Sequence, residues 1–149
     1  MIWTDSQQQR LLQERAILAH YFPTLTWYNP SIRGSTCVQG IIATNAGGRY
    51  AIRIMLSASY PAECPQMIVV APAVLHDFFG NPLTTASSAM HTWDAVDGCT
   101  KICHYNPRYW VPTNTIYLVA LKGRIWLEAY EAHRRTGRPL DDFLPHMAA

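Results

Sequence analysis

The sequence predicts an α+β fold: an N-terminal helix, an antiparallel β-meander, a long irregular loop and a long C-terminal helix. Three observations carry this. Apolar and polar residues alternate through Tyr50, Ala51, Ile52, Arg53, Ile54, Met55 and Leu56, the period-two pattern of a strand with one buried face. Apolar residues recur at helical spacing at Ile116, Val119, Ala120, Leu127 and Tyr130. Thr4 and Ser6 each precede a glutamine by three residues, which is how a helix with a capping box begins.

The first helix is expected to run to about His20, with Leu11, Leu18 and Phe22 on one face and Pro23 ending it. A loop rich in Pro, Asn, Ser and Gly follows. Residues 36–44 read as a strand, and Asn45-Ala46-Gly47-Gly48 offers turn residues able to take positive φ, so a hairpin returns through the alternating segment. Pro61 and Pro65 cannot donate ladder hydrogen bonds, and the connection to a third strand at residues 67–70 must therefore leave the sheet. Residues 71–93 lack periodicity and read as a long loop with a short turn of helix near residues 75–79; long ordered loops often carry function. The last helix is expected over residues 113–135. Leu118, Leu121, Ile125 and Trp126 widen its apolar face, Gly123 bends it or admits a close neighbour, and Arg134, Arg135 and Gly137 form a basic last turn and stop.

At 149 residues and 49% hydrophobic content, the chain fits one domain, residues 1–149, with a core able to fold without staples. The net charge of +2 and the scattered arginines form no basic stripe, so nucleic acid is not the expected partner. The longest apolar stretches fall far short of the roughly 20 residues that span a bilayer. The first residues lack the basic region and apolar block of a signal peptide, and a cytoplasmic protein without a membrane partner is expected. In that compartment Cys37, Cys64, Cys99 and Cys103 are expected as thiols. No cofactor is implied. Only Lys101 and Lys122 are lysines, against ten arginines. Few amines would limit self-modification of an acyl-carrying enzyme, although an arginine-favouring genome is the simpler account.

Cys103 is the candidate nucleophile. A thiol exchanges acyl groups with another thioester at nearly constant free energy and leaves the product activated toward an amine. An ordinary thiol, with a pKa of about 8.5, is only slightly ionised near neutrality. Lys101 and His104 flank Cys103 and can raise its thiolate fraction, while Trp110 and Pro112 can brace the loop that presents the thiol and begin the last helix, with Pro112 near its first turn. The competing reading is a buried structural cysteine, a common fate of free thiols. Cys99, just after Gly98, is the rival thiol and a potential redox partner of Cys103. His91 can donate a hydrogen bond to a developing oxyanion, and the Asn106 amide is an alternative donor; each can equally serve only to hold a loop. Asp94 and Asp97 can orient an incoming ammonium group or act as solvated turn residues. His91, Cys99, Cys103 and His104 also invite a zinc reading. They lack a Cys-x2-Cys knuckle, and adjacent Cys103 and His104 point apart in most backbone conformations, so no metal is expected.

The order of Tyr60-Pro61-Ala62-Glu63-Cys64-Pro65 behind a hairpin, a strand, His91, Ile102-Cys103 and Trp110-Val111-Pro112 before a helix resembles the ubiquitin-conjugating enzyme family over residues 36–137. The resemblance implies the fold of that family, with residues 71–93 leading into its active-site loop. It implies that Cys103 forms a thioester, since Ile-Cys followed by Trp-x-Pro marks that residue. The family's His-Pro-Asn signature is replaced by His91-Thr92-Trp93, which leaves the role of its asparagine without an occupant. A single helix after Trp-x-Pro, with the chain ending within a dozen residues and no room for two further helices, is similar to the compact bacterial branch found in antiphage islands such as CBASS systems. That likeness implies an acyltransferase. Its partner would be a donor protein with an activated C-terminus, such as a cGAS-like nucleotidyltransferase or a ubiquitin-like protein, together with a separate adenylating enzyme and a lysine acceptor. The alternative is a non-catalytic variant that keeps the fold and only binds such proteins.

Overall fold

The computed structural model describes residues 1–144. Helix α1, Asp5–Tyr21, starts at Thr4 in a capping box: the Thr4 hydroxyl accepts from the Gln7 N–H at 3.3 Å, and the Gln7 side chain accepts from the Thr4 N–H at 3.0 Å. Such a cap contributes about 1 kcal/mol. Leu11, Glu14 and Leu18 form its buried stripe, and the helix stops at Phe22 before Pro23.

The sheet is larger than the expected three-stranded meander. Six antiparallel strands lie in the order β1-β2-β3-β4-β6-β5: β1 Leu25–Tyr28, β2 Cys37–Ala43, β3 Arg49–Met55, β4 Gln66–Ala71, β5 Thr92–Val96 and β6 Cys99–Ile102. Strand β1 occupies part of what reads as loop. It reaches β2 because Gly40 has no side chain: a Cβ there would lie 2.1 Å from the Thr24 carbonyl oxygen. The expected β2–β3 hairpin is present, with Gly47 at φ 91° in its turn and the Asn45 N–H donating to Glu128 at 2.6 Å. Tyr50, Ile52 and Ile54 face inward, as their alternation predicts.

No helical turn forms near residues 75–79. The Asp77 carboxylate instead accepts from the N–H groups of Phe79 and Asn81, both at 2.9 Å, while His76 bridges Pro82 and the Leu83 N–H returns to the Leu75 carbonyl at 2.8 Å. A short aspartate side chain that satisfies two backbone donors favours a turn over a helix. Beyond this loop comes the second departure, the β5–β6 hairpin. Asp97 and Gly98, at φ 52° and 73°, form its two-residue turn, the kind that Asp-Gly favours.

Helix α2, Ile116–Thr136, begins three residues later than expected because the Thr115 hydroxyl caps it, accepting from the Leu118 N–H at 3.2 Å. Pro112 therefore lies ahead of the helix rather than in its first turn. Gly137, at φ 73°, ends it as the sequence predicts. Ile116, Val119, Ala120, Leu127 and Tyr130 are buried, and Gly123 serves as the close-approach site: a Cβ there would lie 2.3 Å from the Met67 sulfur. The inward faces of β2, β3, β4 and β6 pack with both helices into one core, whereas Gln39, Arg53, Lys101 and Trp93 mark the opposite face. Two short 3-10 turns, Pro107–Tyr109 and Leu140–Asp142, flank α2. Trp3 is buried with its indole N–H on the Thr36 hydroxyl, while Tyr28 is exposed. The end of the chain falls in residues 145–149, so the expectation that no further helices follow lies partly outside the described residues.

Candidate active site

Cys103 stands one residue past β6, where the hairpin gives way to the loop that carries Trp110. Its N–H donates to the His91 carbonyl at 2.8 Å and its thiol faces the Tyr105 carbonyl at 3.8 Å. It is half-buried. Burial pushes its pKa up, while the Trp93 indole and the Lys101 ammonium oppose that rise. Strand register explains both neighbours. Trp93 pairs with Lys101 across the β5–β6 ladder, and Lys101 lies two residues before Cys103 on the same face. The Lys101 ammonium sits 5.8 Å from the centroid of the Trp93 ring.

Against the residues on either side of Cys103 in the chain, a cavity of about 240 Å³ is lined in part by Cys64, Trp93, Lys101, His104 and Tyr105. The His104 imidazole is buried, with Nε2 3.7 Å from the Cys64 sulfur and Nδ1 3.4 Å from the Ile102 carbonyl. A tautomer with the proton on Nδ1 serves both contacts. Burial lowers its pKa to about 4, so the ring is neutral at physiological pH and contributes no positive charge to Cys103. Burial, followed by the charge of the Cys103 thiolate, pushes the Cys64 thiol up to about 12.

The loop after Cys103 is braced from below. The Trp110 indole N–H donates to the Pro61 carbonyl at 2.8 Å, and its ring meets Tyr105 edge-on at 5.7 Å. Arg10 of α1 donates to the carbonyls of Pro112 at 2.7 Å and Asn114 at 2.5 Å. Glu14, buried on the same helix, accepts from the Arg10 guanidinium at 3.0 Å, from the Ile116 N–H at 2.6 Å and from the Tyr60 hydroxyl. One carboxylate thus joins α1, the Tyr60-Pro61 turn and the first N–H of α2, where negative charge is favoured by the helix dipole.

The other candidates have separate engagements. His91 adopts φ 52°; its ring Nε2 is 2.5 Å from Asp141, and its carbonyl rather than its imidazole holds Cys103. That carbonyl also accepts from the Trp126 indole N–H at 3.2 Å, which reaches the Met90 carbonyl at 3.1 Å. Trp126 is fully buried and stacked on Tyr130 at 5.3 Å. Asn106 caps the turn that follows, accepting from the Arg108 N–H at 3.0 Å. The Asp94 carboxylate accepts from the Ala86 N–H at 2.8 Å, and Asp97 occupies the hairpin turn. Cys99 is buried, its thiol 3.6 Å from the Asp97 carbonyl. Among the described residues, no three His, Cys, Asp or Glu side chains converge as a metal site would. No helix of the described residues is long and apolar enough to cross a membrane.

Sequence reasoning missed Trp93, Cys64 and Glu14. The Asp97-Gly98 turn signal, used to set the register, brings Trp93 to Cys103. Neither the placement of Cys64 nor the burial of Glu14 has a local signal. No protein-family model, no curated protein and no solved structure matches this chain.

Proposed function

We propose that this chain is an acyltransferase of the ubiquitin-conjugating type, with Cys103 as its thioester-forming residue. The observation that carries the reading is the half-buried Cys103 thiol at a strand end, beside a cation and an indole N–H, on a loop anchored through Trp110 to the Tyr60-Pro61 turn. In the proposed reaction, the Cys103 thiolate attacks the carbonyl of an activated protein C-terminus. A tetrahedral oxyanion forms, collapses and expels the carrier's thiolate. A lysine amine then attacks the new thioester, loses a proton and displaces Cys103 to leave an isopeptide bond. The Trp93 N–H and the Lys101 ammonium, which both favour the Cys103 thiolate, are the candidate donors to the oxyanion, and charge stabilisation of this kind accounts for much of such a rate enhancement. His91 can join them only after leaving Asp141. The resemblance to the compact bacterial branch supplies the donor, a cGAS-like nucleotidyltransferase or a ubiquitin-like protein charged by an adenylating enzyme, and a role in antiphage defence in the cytoplasm.

Two observations favour the second reading, a non-catalytic binding module of the same fold: burial holds the Cys103 thiol above its ordinary pKa, and the His91 ring is already paired. Co-expression with the proteins encoded beside it, followed by intact-mass and non-reducing gel analysis, separates the two. Acyl transfer predicts a thiol-labile adduct on the wild type and on Cys99→Ser, but none on Cys103→Ser. An adduct absent from every sample selects the binding module.

A further inference from the structure

A second sulfur lies against the residues that flank Cys103. Met67 pairs with Ile102 at the end of the β4–β6 ladder, and antiparallel counting sets Gln66 across from Cys103 and Pro65 across from His104. Cys64 follows directly. Its sulfur turns back to within 3.7 Å of the His104 ring, and it lines the cavity whose wall also contains Ile102 and His104, the two residues that flank Cys103. The electrostatic influence of the Cys103 thiolate on Cys64 agrees with this proximity. Cys99 is placed differently, beyond Lys101 on β6 with its thiol toward Asp97.

We propose that Cys64 is the resolving thiol for Cys103: a hydroperoxide oxidises Cys103, and the product closes on Cys64 as a reversible disulfide that withdraws the nucleophile. In the first step the Cys103 thiolate attacks one peroxide oxygen. A sulfur–oxygen bond forms, the oxygen–oxygen bond breaks, and hydroxide leaves from hydrogen peroxide; sulfur is oxidised to a sulfenic acid and the peroxide is reduced. In the second step the Cys64 sulfur attacks the sulfenyl sulfur, the sulfur–oxygen bond breaks, and the departing hydroxide takes the Cys64 proton as water. This chemistry is independent of acyl transfer; its consequence, loss of acyl loading under oxidation, rests on the function proposed above. Linkage also protects Cys103 from irreversible over-oxidation.

Hydrogen peroxide treatment of the purified chain, followed by intact mass and peptide mapping, tests the proposal. The wild type is expected to lose the mass of two hydrogen atoms, to yield a Cys64–Cys103 cross-linked peptide, and to recover both thiols with reductant. Cys64→Ser and Cys64→Ala are expected to accumulate a Cys103 sulfenic acid that dimedone traps. A Cys99–Cys103 link, or over-oxidation of Cys103 that proceeds equally in wild type and Cys64→Ser, overturns it. The mapping of wild type needs no variant to fold. A chain that forms the link but never carries a thiol-labile adduct upholds the redox pair and removes the acyl-transfer reading, whereas an adduct without the link does the reverse.

Discussion

The brace under the Cys103 loop and the thiol end above it are built on opposite terms. In the brace, Glu14 alone gathers Arg10, Tyr60 and Ile116, and Arg10 and Trp110 add carbonyl anchors from two other segments. At the thiol end, Cys103 is fixed by one backbone hydrogen bond and tuned by side chains that touch it only because two strands pair. Side-chain hydrogen bonds are concentrated beneath the loop, and the Cys103 thiol is held mainly from behind.

The largest expected effect breaks the brace. Glu14→Ala leaves the Ile116 N–H, the Tyr60 hydroxyl and the Arg10 guanidinium without their shared acceptor, and is expected to cost about 3–5 kcal/mol in urea denaturation. Cys103 labelling in the folded population should change by less than about twofold, well under the tenfold that corresponds to 1.4 kcal/mol. A labelling rate that rises in step with the lost stability would show that the two regions are one unit.

Acid sharpens the comparison from the other side. His104 has a pKa of about 4 in the fold against 6.5 unperturbed, so between those values the unfolded chain binds more protons than the folded one. Stability therefore falls as pH drops from about 6.5 toward about 4, by at most about 3 kcal/mol, the energy of that shift. His104→Gln should flatten this part of a pH series of denaturation midpoints. An unchanged slope would assign the acid sensitivity elsewhere.

A smaller effect is expected at the sulfur. Trp93→Phe keeps an aromatic ring and removes the N–H that opposes the raised pKa of Cys103, so the thiol should ionise at still higher pH. Alkylation of Cys103 at a fixed pH below its pKa should slow relative to wild type, with little change in melting. A rate equal to wild type would remove Trp93 from the site.

The two regions were unequally legible in the sequence. Strand β3 and helix α2 follow from periodicity, because each buries one face of apolar residues; α1 follows from its capping box, and β4 from a short apolar run buried on both faces. Strand β1 does not, since four residues hold little pattern and their pairing depends on an absent side chain at Gly40. The β5–β6 hairpin carried a usable signal in Asp97-Gly98, yet its short strands expose Trp93 and Asp94 and half-expose Lys101, which blurs the alternation. Glu14 reads as a solvent-side residue because charge is seldom buried; only its three donors make burial tolerable. Cys103 and Trp110 were readable as a spaced pair, whereas the neighbours of Cys103 belong to register, which no single segment contains.

Trp126 gives the molecule an optical gauge of its own. Its indole lies in a dry setting against Tyr130, and its N–H is held by the two carbonyls that open β5, one of which also receives the Cys103 N–H. Loosening of that strand end would free the indole proton and admit solvent, shifting its emission to longer wavelength. Trp93, on the outer side of the same strand, sits where an occupant on the sulfur would quench it. In a chain whose other tryptophans, Trp3, Trp27 and Trp110, are replaced by phenylalanine, inward movement and outward occupancy at Cys103 would thus be separable without any added dye.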